Sequence, residues 1–73
     1  MKKIAIIGAG GFGREVKMLI DQINVVSLKY VFIGYYDDGK EKGILINGFP
    51  VLGKVSDLNV VSEEISVALA LGN

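Results

Sequence analysis

The chain has 73 residues, 51% hydrophobic and 22% charged, with eight basic and eight acidic side chains and no His, Cys, Trp or Thr. One small domain of this size buries only about 60% of its unfolded surface, and zero net charge gives no long-range attraction for nucleic acid or an anionic membrane surface. Without Cys there is no disulfide, thiolate metal site or thiol nucleophile, and without His there is no usual general base near neutral pH.

Lys2 to Ile7 holds the unbroken apolar run Ile4-Ala5-Ile6-Ile7, the pattern of a strand covered on both faces of a parallel sheet. That run meets glycines far short of a signal-peptide core, and no stretch of the chain approaches the roughly 20 apolar residues of a membrane helix. No membrane association is expected, and the missing cysteines fit a cytoplasmic protein.

Gly8-Ala9-Gly10-Gly11-Phe12-Gly13 follows directly. Gly8, Gly10 and Gly13 form a G-x-G-x-x-G series between a predicted strand and a predicted helix, the context in which that pattern points to a nucleotide site. The first glycine permits the tight turn, the second lets a ligand approach the backbone, and the third lets helix and sheet pack closely. Unpaired N–H groups and the positive end of the helix dipole suit a diphosphate there. A tight strand-to-helix turn is the plainer reading. Four glycines in six positions exceed what a turn needs, each costing about 0.5–1 kcal/mol relative to Ala once inside the helix start.

Phe12, Val16, Leu19, Ile20 and Ile23 recur at helical spacing, with Arg14, Lys17, Asp21 and Gln22 largely opposite, which predicts an amphipathic helix of about three turns ending near Asn24. Arg14, in the first turn, has forked donors suited to a phosphate; pairing with Glu15 or solvent is the simpler fate. Phe12 reads as a core residue under the helix, with a lid over a ligand as the alternative.

Tyr30 to Tyr36, rich in aromatic and β-branched residues, predicts a second strand that ends at Asp37-Asp38-Gly39. Tyr35 and Tyr36 point to opposite faces, one to the core and the other toward the cleft. Between Lys40 and Asn59, Gly43, Asn47-Gly48, Pro50 and Gly53 interrupt every period. Ile44-Leu45-Ile46 and Phe49-Pro50-Val51-Leu52 flank Asn47-Gly48 as a small hairpin would, and Ser56 or Asp57 would cap one short helical turn through Leu58 and Val60. Ser66 to Leu71 predicts the third strand, followed by Gly72-Asn73.

These elements give an α/β fold: a small Rossmann-like βαβαβ unit with a three-stranded parallel sheet in the order 2-1-3, the apolar first strand at its centre. Residues 1–73 form one domain. The carboxyl ends of parallel strands share one edge, where ligands bind, so Gly8 to Gly13, Asp37-Asp38 and Gly72-Asn73 are expected to converge there. Asp37 or Asp38 would accept hydrogen bonds from a ribose hydroxyl or a base N–H, and Asn73 would add an amide. Asp-Asp-Gly is also ordinary turn chemistry, and a chain end is often frayed.

The segments Lys3-Ile4-Ala5-Ile6-Ile7-Gly8-Ala9-Gly10-Gly11-Phe12-Gly13-Arg14-Glu15-Val16, Phe32-Ile33-Gly34-Tyr35-Tyr36-Asp37-Asp38, Gly48-Phe49-Pro50-Val51-Leu52-Gly53 and Ala70-Leu71-Gly72-Asn73, in this order, resemble the N-terminal domain of sugar O- or N-acyltransferases of the sialic-acid O-acetyltransferase and bacillosamine acetyltransferase type. The resemblance implies a Rossmann-like domain that binds the nucleotide part of a UDP- or CMP-sugar. Gly8, Gly10, Gly11, Gly13, Asp37, Asp38, Gly72 and Asn73 would contact it, with Phe12 and Arg14 beside them; relatives often carry His where this chain has Phe12. It also implies a bacterial enzyme of polysaccharide biosynthesis, homotrimeric through a left-handed β-helix that binds acetyl-CoA and supplies a catalytic His. That half is not within these 73 residues, so the chain is expected to be a fragment, inactive alone, with no catalytic residue and no metal of its own. The alternatives are the dinucleotide-binding half of an NAD-dependent oxidoreductase and a non-catalytic nucleotide-sensing domain.

Overall fold

β1 (Lys2–Ile7) is the first element of the fold and an inner strand of its sheet. The structure, a computed structural model, describes residues 2–8, 10–61 and 64–69, with the side chains of residues 11, 12 and 60 outside that description. After β1 come α1 (Gly11–Val26), β2 (Tyr30–Tyr36), β3 (Leu45–Ile46), β4 (Phe49–Gly53), a 3-10 segment at Val55–Val60, and β5 (Ser66–Leu69).

The sheet corrects the expected architecture, having five strands in the order β3-β4-β2-β1-β5 where the sequence predicts three, so that β2 and not the apolar first strand stands in the middle. Within it β1 pairs in parallel with β2 on one side, from Lys2 opposite Tyr30 to Ile7 opposite Tyr36, and with β5 on the other, from Ile4 opposite Ser66 to Ile7 opposite Leu69. Residues 70 and 71 of the predicted third strand lie outside the described residues. The extra strands come from the glycine-rich stretch. Asn47 (φ 51°) and Gly48 (φ 84°) both occupy the left-handed region that a two-residue hairpin turn requires, so β3 folds back on β4 with Ile46 opposite Phe49. β4 then pairs in parallel with β2, Val51 opposite Tyr35.

A second correction concerns the second crossover, which carries the 3-10 segment in place of the α-helix of a βαβαβ unit. Ser56, Asp57 and Asn59 offer side chains that compete with the helical backbone, and Val55 and Val60 are β-branched, so only a short, tighter turn forms.

The core lies between α1 and the sheet, where Ile4, Ile6, Ile20 and Tyr35 form one buried cluster with Val16, Phe32, Phe49 and Ala68 against it. A bulge in β2 makes this composition possible. Ile4 is opposite Phe32 but Ala5 is opposite Gly34, so Ile33 is an extra residue and Phe32 and Tyr35 reach the same face. Their rings meet edge to face at 5.2 Å. Tyr36, which the alternation sends toward the cleft, is buried as well, at 7% exposed.

The helix packs by a different stripe from the apolar one in its sequence. Gly13 and Ile20 are buried and Val16, Lys17 and Asn24 half-buried, whereas Leu19 and Ile23 are 56% and 43% exposed. Lys17 belongs on the inner side because its ammonium lies 5.5 Å from the Phe32 ring centre and 4.7 Å from that of Phe49, with both Asp21 carboxylate oxygens 2.8 Å away. No helix among the described residues is long and apolar enough to cross a membrane.

Candidate nucleotide-binding edge

At the carboxyl edge of the sheet the chain leaves β1 at Gly8, whose N–H donates to the Tyr36 carbonyl at 2.8 Å, tying the end of β1 to the end of β2. Gly10 then caps α1 with no side-chain acceptor, and no acidic residue occupies the first helical turn. The amides that open the helix, beginning at Gly11, therefore lack the usual side-chain anion.

Gly13 and Gly10 are glycines for different reasons. A Cβ on Gly13 would collide with the Gly8 carbonyl oxygen, so the close packing of helix on strand demands Gly there. A Cβ on Gly10 would meet nothing within 4 Å among the described residues, and its φ of −76° is open to any residue. Packing among the described residues does not account for Gly10. Open space above a backbone that carries the helix cap is what a ligand needs to approach the amides.

The acidic pair follows β2. The Asp37 N–H donates to the Gly53 carbonyl at 3.0 Å, and its Oδ1 accepts the Gly39 N–H at 2.7 Å, closing a local turn. Asp38 is exposed and its Oδ1 accepts the Val55 N–H at 2.9 Å, a link across the chain to the turn after β4. A pocket of about 510 Å³ opens beside them, lined by Asp38, Gly39, Lys40, Glu41, Lys42, Gly53, Lys54 and Asp57. Asp57 is held in turn, its Oδ2 accepting the Lys54 N–H at 2.8 Å.

The structure thus brings Gly8, Gly10, Gly11, Gly13 and Arg14 to the helix start, and Asp37 and Asp38 to the neighbouring strand end. Asp38 lines the pocket; the glycine segment and Arg14 do not. Arg14 is exposed, with its backbone N–H donating to the Gly10 carbonyl at 3.2 Å. The Phe12 side chain, Gly72 and Asn73 lie outside the described residues.

The family of the PglD N-terminal domain matches residues 3–73. The chain belongs to this family. The match takes in the glycine segment, the acidic pair and the Asn47-Gly48 hairpin together, and it makes the chain an N-terminal domain of the PglD type, a family of sugar acetyltransferases. No curated protein and no solved structure matches the chain.

In this PglD-type domain, sequence reasoning missed the second pocket wall, formed by Gly53, Lys54 and Asp57, together with Lys40, Glu41 and Lys42. Its signal was the pairing of β4 with β2, which puts the residues after Gly53 beside those after Tyr36; only the sheet order reveals that neighbourhood. Among the described residues no group of three or more carboxylates could hold a metal ion. Tyr35, under the helix beside this edge, has its ionisation pushed up by burial, with Arg14 opposing and Asp21 adding to the shift.

Proposed function

We propose that this PglD-type domain binds a nucleotide-sugar, of the UDP- or CMP-sugar kind, for an acetyl-CoA-dependent sugar O- or N-acetyltransferase. The observation that carries the reading is the start of α1: a backbone without a side-chain cap, with no described residue over Gly10 and with Gly13 packed on Gly8. A diphosphate there would accept hydrogen bonds from the helix-start amides and sit at the positive end of the dipole. Asp37, oriented by its bond to the Gly39 N–H, stands on the adjoining strand end for a ribose hydroxyl or a base N–H. Gly72 and Asn73 would border the same edge by resemblance, and Arg14 would reach a phosphate oxygen.

In the complete enzyme a nucleophilic hydroxyl or amine of the sugar attacks the thioester of acetyl-CoA, its proton passes to a general base, and the CoA thiol leaves. This chain has no His, and no transfer step is routed through its residues. By resemblance, acetyl-CoA and the base belong to a left-handed β-helix that also makes the trimer. What these residues contribute is position: fixing the acceptor against the thioester is worth several kcal/mol of barrier. Titration calorimetry with UDP-N-acetylglucosamine, and separately with NAD, tests the reading. Saturable binding of the UDP-sugar that is abolished by Gly10→Val is expected; NAD binding with no response to the UDP-sugar would overturn it in favour of a dinucleotide-binding fold.

A further inference from the structure

Asp38 stands where the resemblance expects a ligand contact, yet its carboxylate is already committed. Oδ1 accepts the Val55 N–H at 2.9 Å, joining residues 17 apart in the chain. The two segments it joins are the two walls of the 510 Å³ pocket: Asp38 to Lys42 on one side, Gly53, Lys54 and Asp57 on the other. Each wall has its own internal brace, Asp37 to the Gly39 N–H and Asp57 to the Lys54 N–H. Between the walls, beyond the strand ends, the bond from Val55 to Asp38 is a side-chain link; just below it the Asp37 N–H reaches the Gly53 carbonyl.

We infer that Asp38 is a positioning residue, a buckle that holds the turn after β4 against the loop after β2 and thereby sets the width of the pocket. Its role needs an acceptor oxygen at that place rather than a negative charge. This rests on the proposed function only in so far as the pocket adjoins the nucleotide edge; the buckle itself is a property of the free protein.

Two substitutions separate the roles. Asn keeps an acceptor oxygen for the Val55 N–H, and Ala removes it. In the ligand-free chain, followed by NMR, D38A is expected to speed hydrogen exchange at the Val55 amide by about tenfold or more, and D38N to restore protection to near the wild-type value. With UDP-N-acetylglucosamine as probe, D38A is expected to weaken binding by about tenfold and D38N to recover most of it. Unchanged Val55 exchange in D38A would overturn the inference. So would a D38N variant that keeps Val55 protected but loses the probe as fully as D38A, since the carboxylate would then touch the ligand itself. Should D38A fail to fold, D38N alone decides by the same two readouts. Failure of the wild-type chain to bind the probe would sink the proposed function, while Val55 exchange would still judge the buckle.

Discussion

Tyr35 is wholly buried, and its hydroxyl has no hydrogen-bond partner among the described residues. A buried hydroxyl left without a partner costs about 1–3 kcal/mol, while the ring itself packs edge to face with Phe32 and borders Gly13. Tyr35→Phe keeps the ring and removes the orphan oxygen, so it is expected to raise stability by about 1 kcal/mol, read as a higher urea midpoint with an unchanged slope. The same residue sets a pH response. Burial holds its ionisation above the usual tyrosine range, with the Arg14 charge opposing and that of Asp21 reinforcing. Above about pH 10 the unfolded chain gives up this proton while the folded chain retains it, so stability falls as pH rises through the region between the two ionisations. Urea midpoints of wild type and Tyr35→Phe measured from pH 8 to 11 are expected to keep a constant offset up to about pH 10 and to move further apart above it, the wild type falling faster.

At the scale of elements, the end of α1 is fixed by a side chain. Asn24 Oδ1 accepts the N–H groups of Lys29 at 3.1 Å and Tyr30 at 3.0 Å, and its Nδ2 donates to the Tyr30 carbonyl at 3.0 Å. One amide thus buckles the last turns of the helix to the first residue of β2. Asn24→Ala removes all three bonds and leaves part-buried backbone groups of Tyr30 to find water, at a cost of about 1–3 kcal/mol. Amide exchange at Lys29 and Tyr30 is expected to accelerate in that variant more than exchange at Ile6.

The same residue shows what the sequence could and could not reveal. Asn24 was legible as a helix-ending residue, but the helix runs on to Val26 because Asn24 works from inside it, its side chain bonded to residues five and six positions on. Local chemistry was readable: the glycine segment between strand and helix, and Asn47-Gly48 as a hairpin turn. The stripe of α1 that packs was not, because Lys17 sits inward only by virtue of Phe32 and Phe49, brought under it by the β2 bulge and by β4. Nor was the Lys54 wall of the candidate site, which depends on β4 lying beside β2.

For the whole molecule, 73 residues at the usual stability per residue correspond to a total of about 4–11 kcal/mol. Ile6 is fully buried on an inner strand of the sheet and in the core cluster. Ile6→Ala is expected to cost about 2–5 kcal/mol, a large share of that total, and to lower the thermal midpoint by more than about 10 °C in calorimetry. A change within about 2 °C would mean that the sheet relaxes around the lost methyl groups.

The position of β1 has a consequence for how the protein is born. It leaves the ribosome before either of its two neighbours, which arrive at residues 30–36 and 66–69. At about 5–20 residues per second the nascent Ile4-Ala5-Ile6-Ile7 waits several seconds for its second flank. Through that interval the stickiest part of the polypeptide is half-zipped, which marks translation, more than the finished fold, as the time when this domain is open to self-association or to a chaperone.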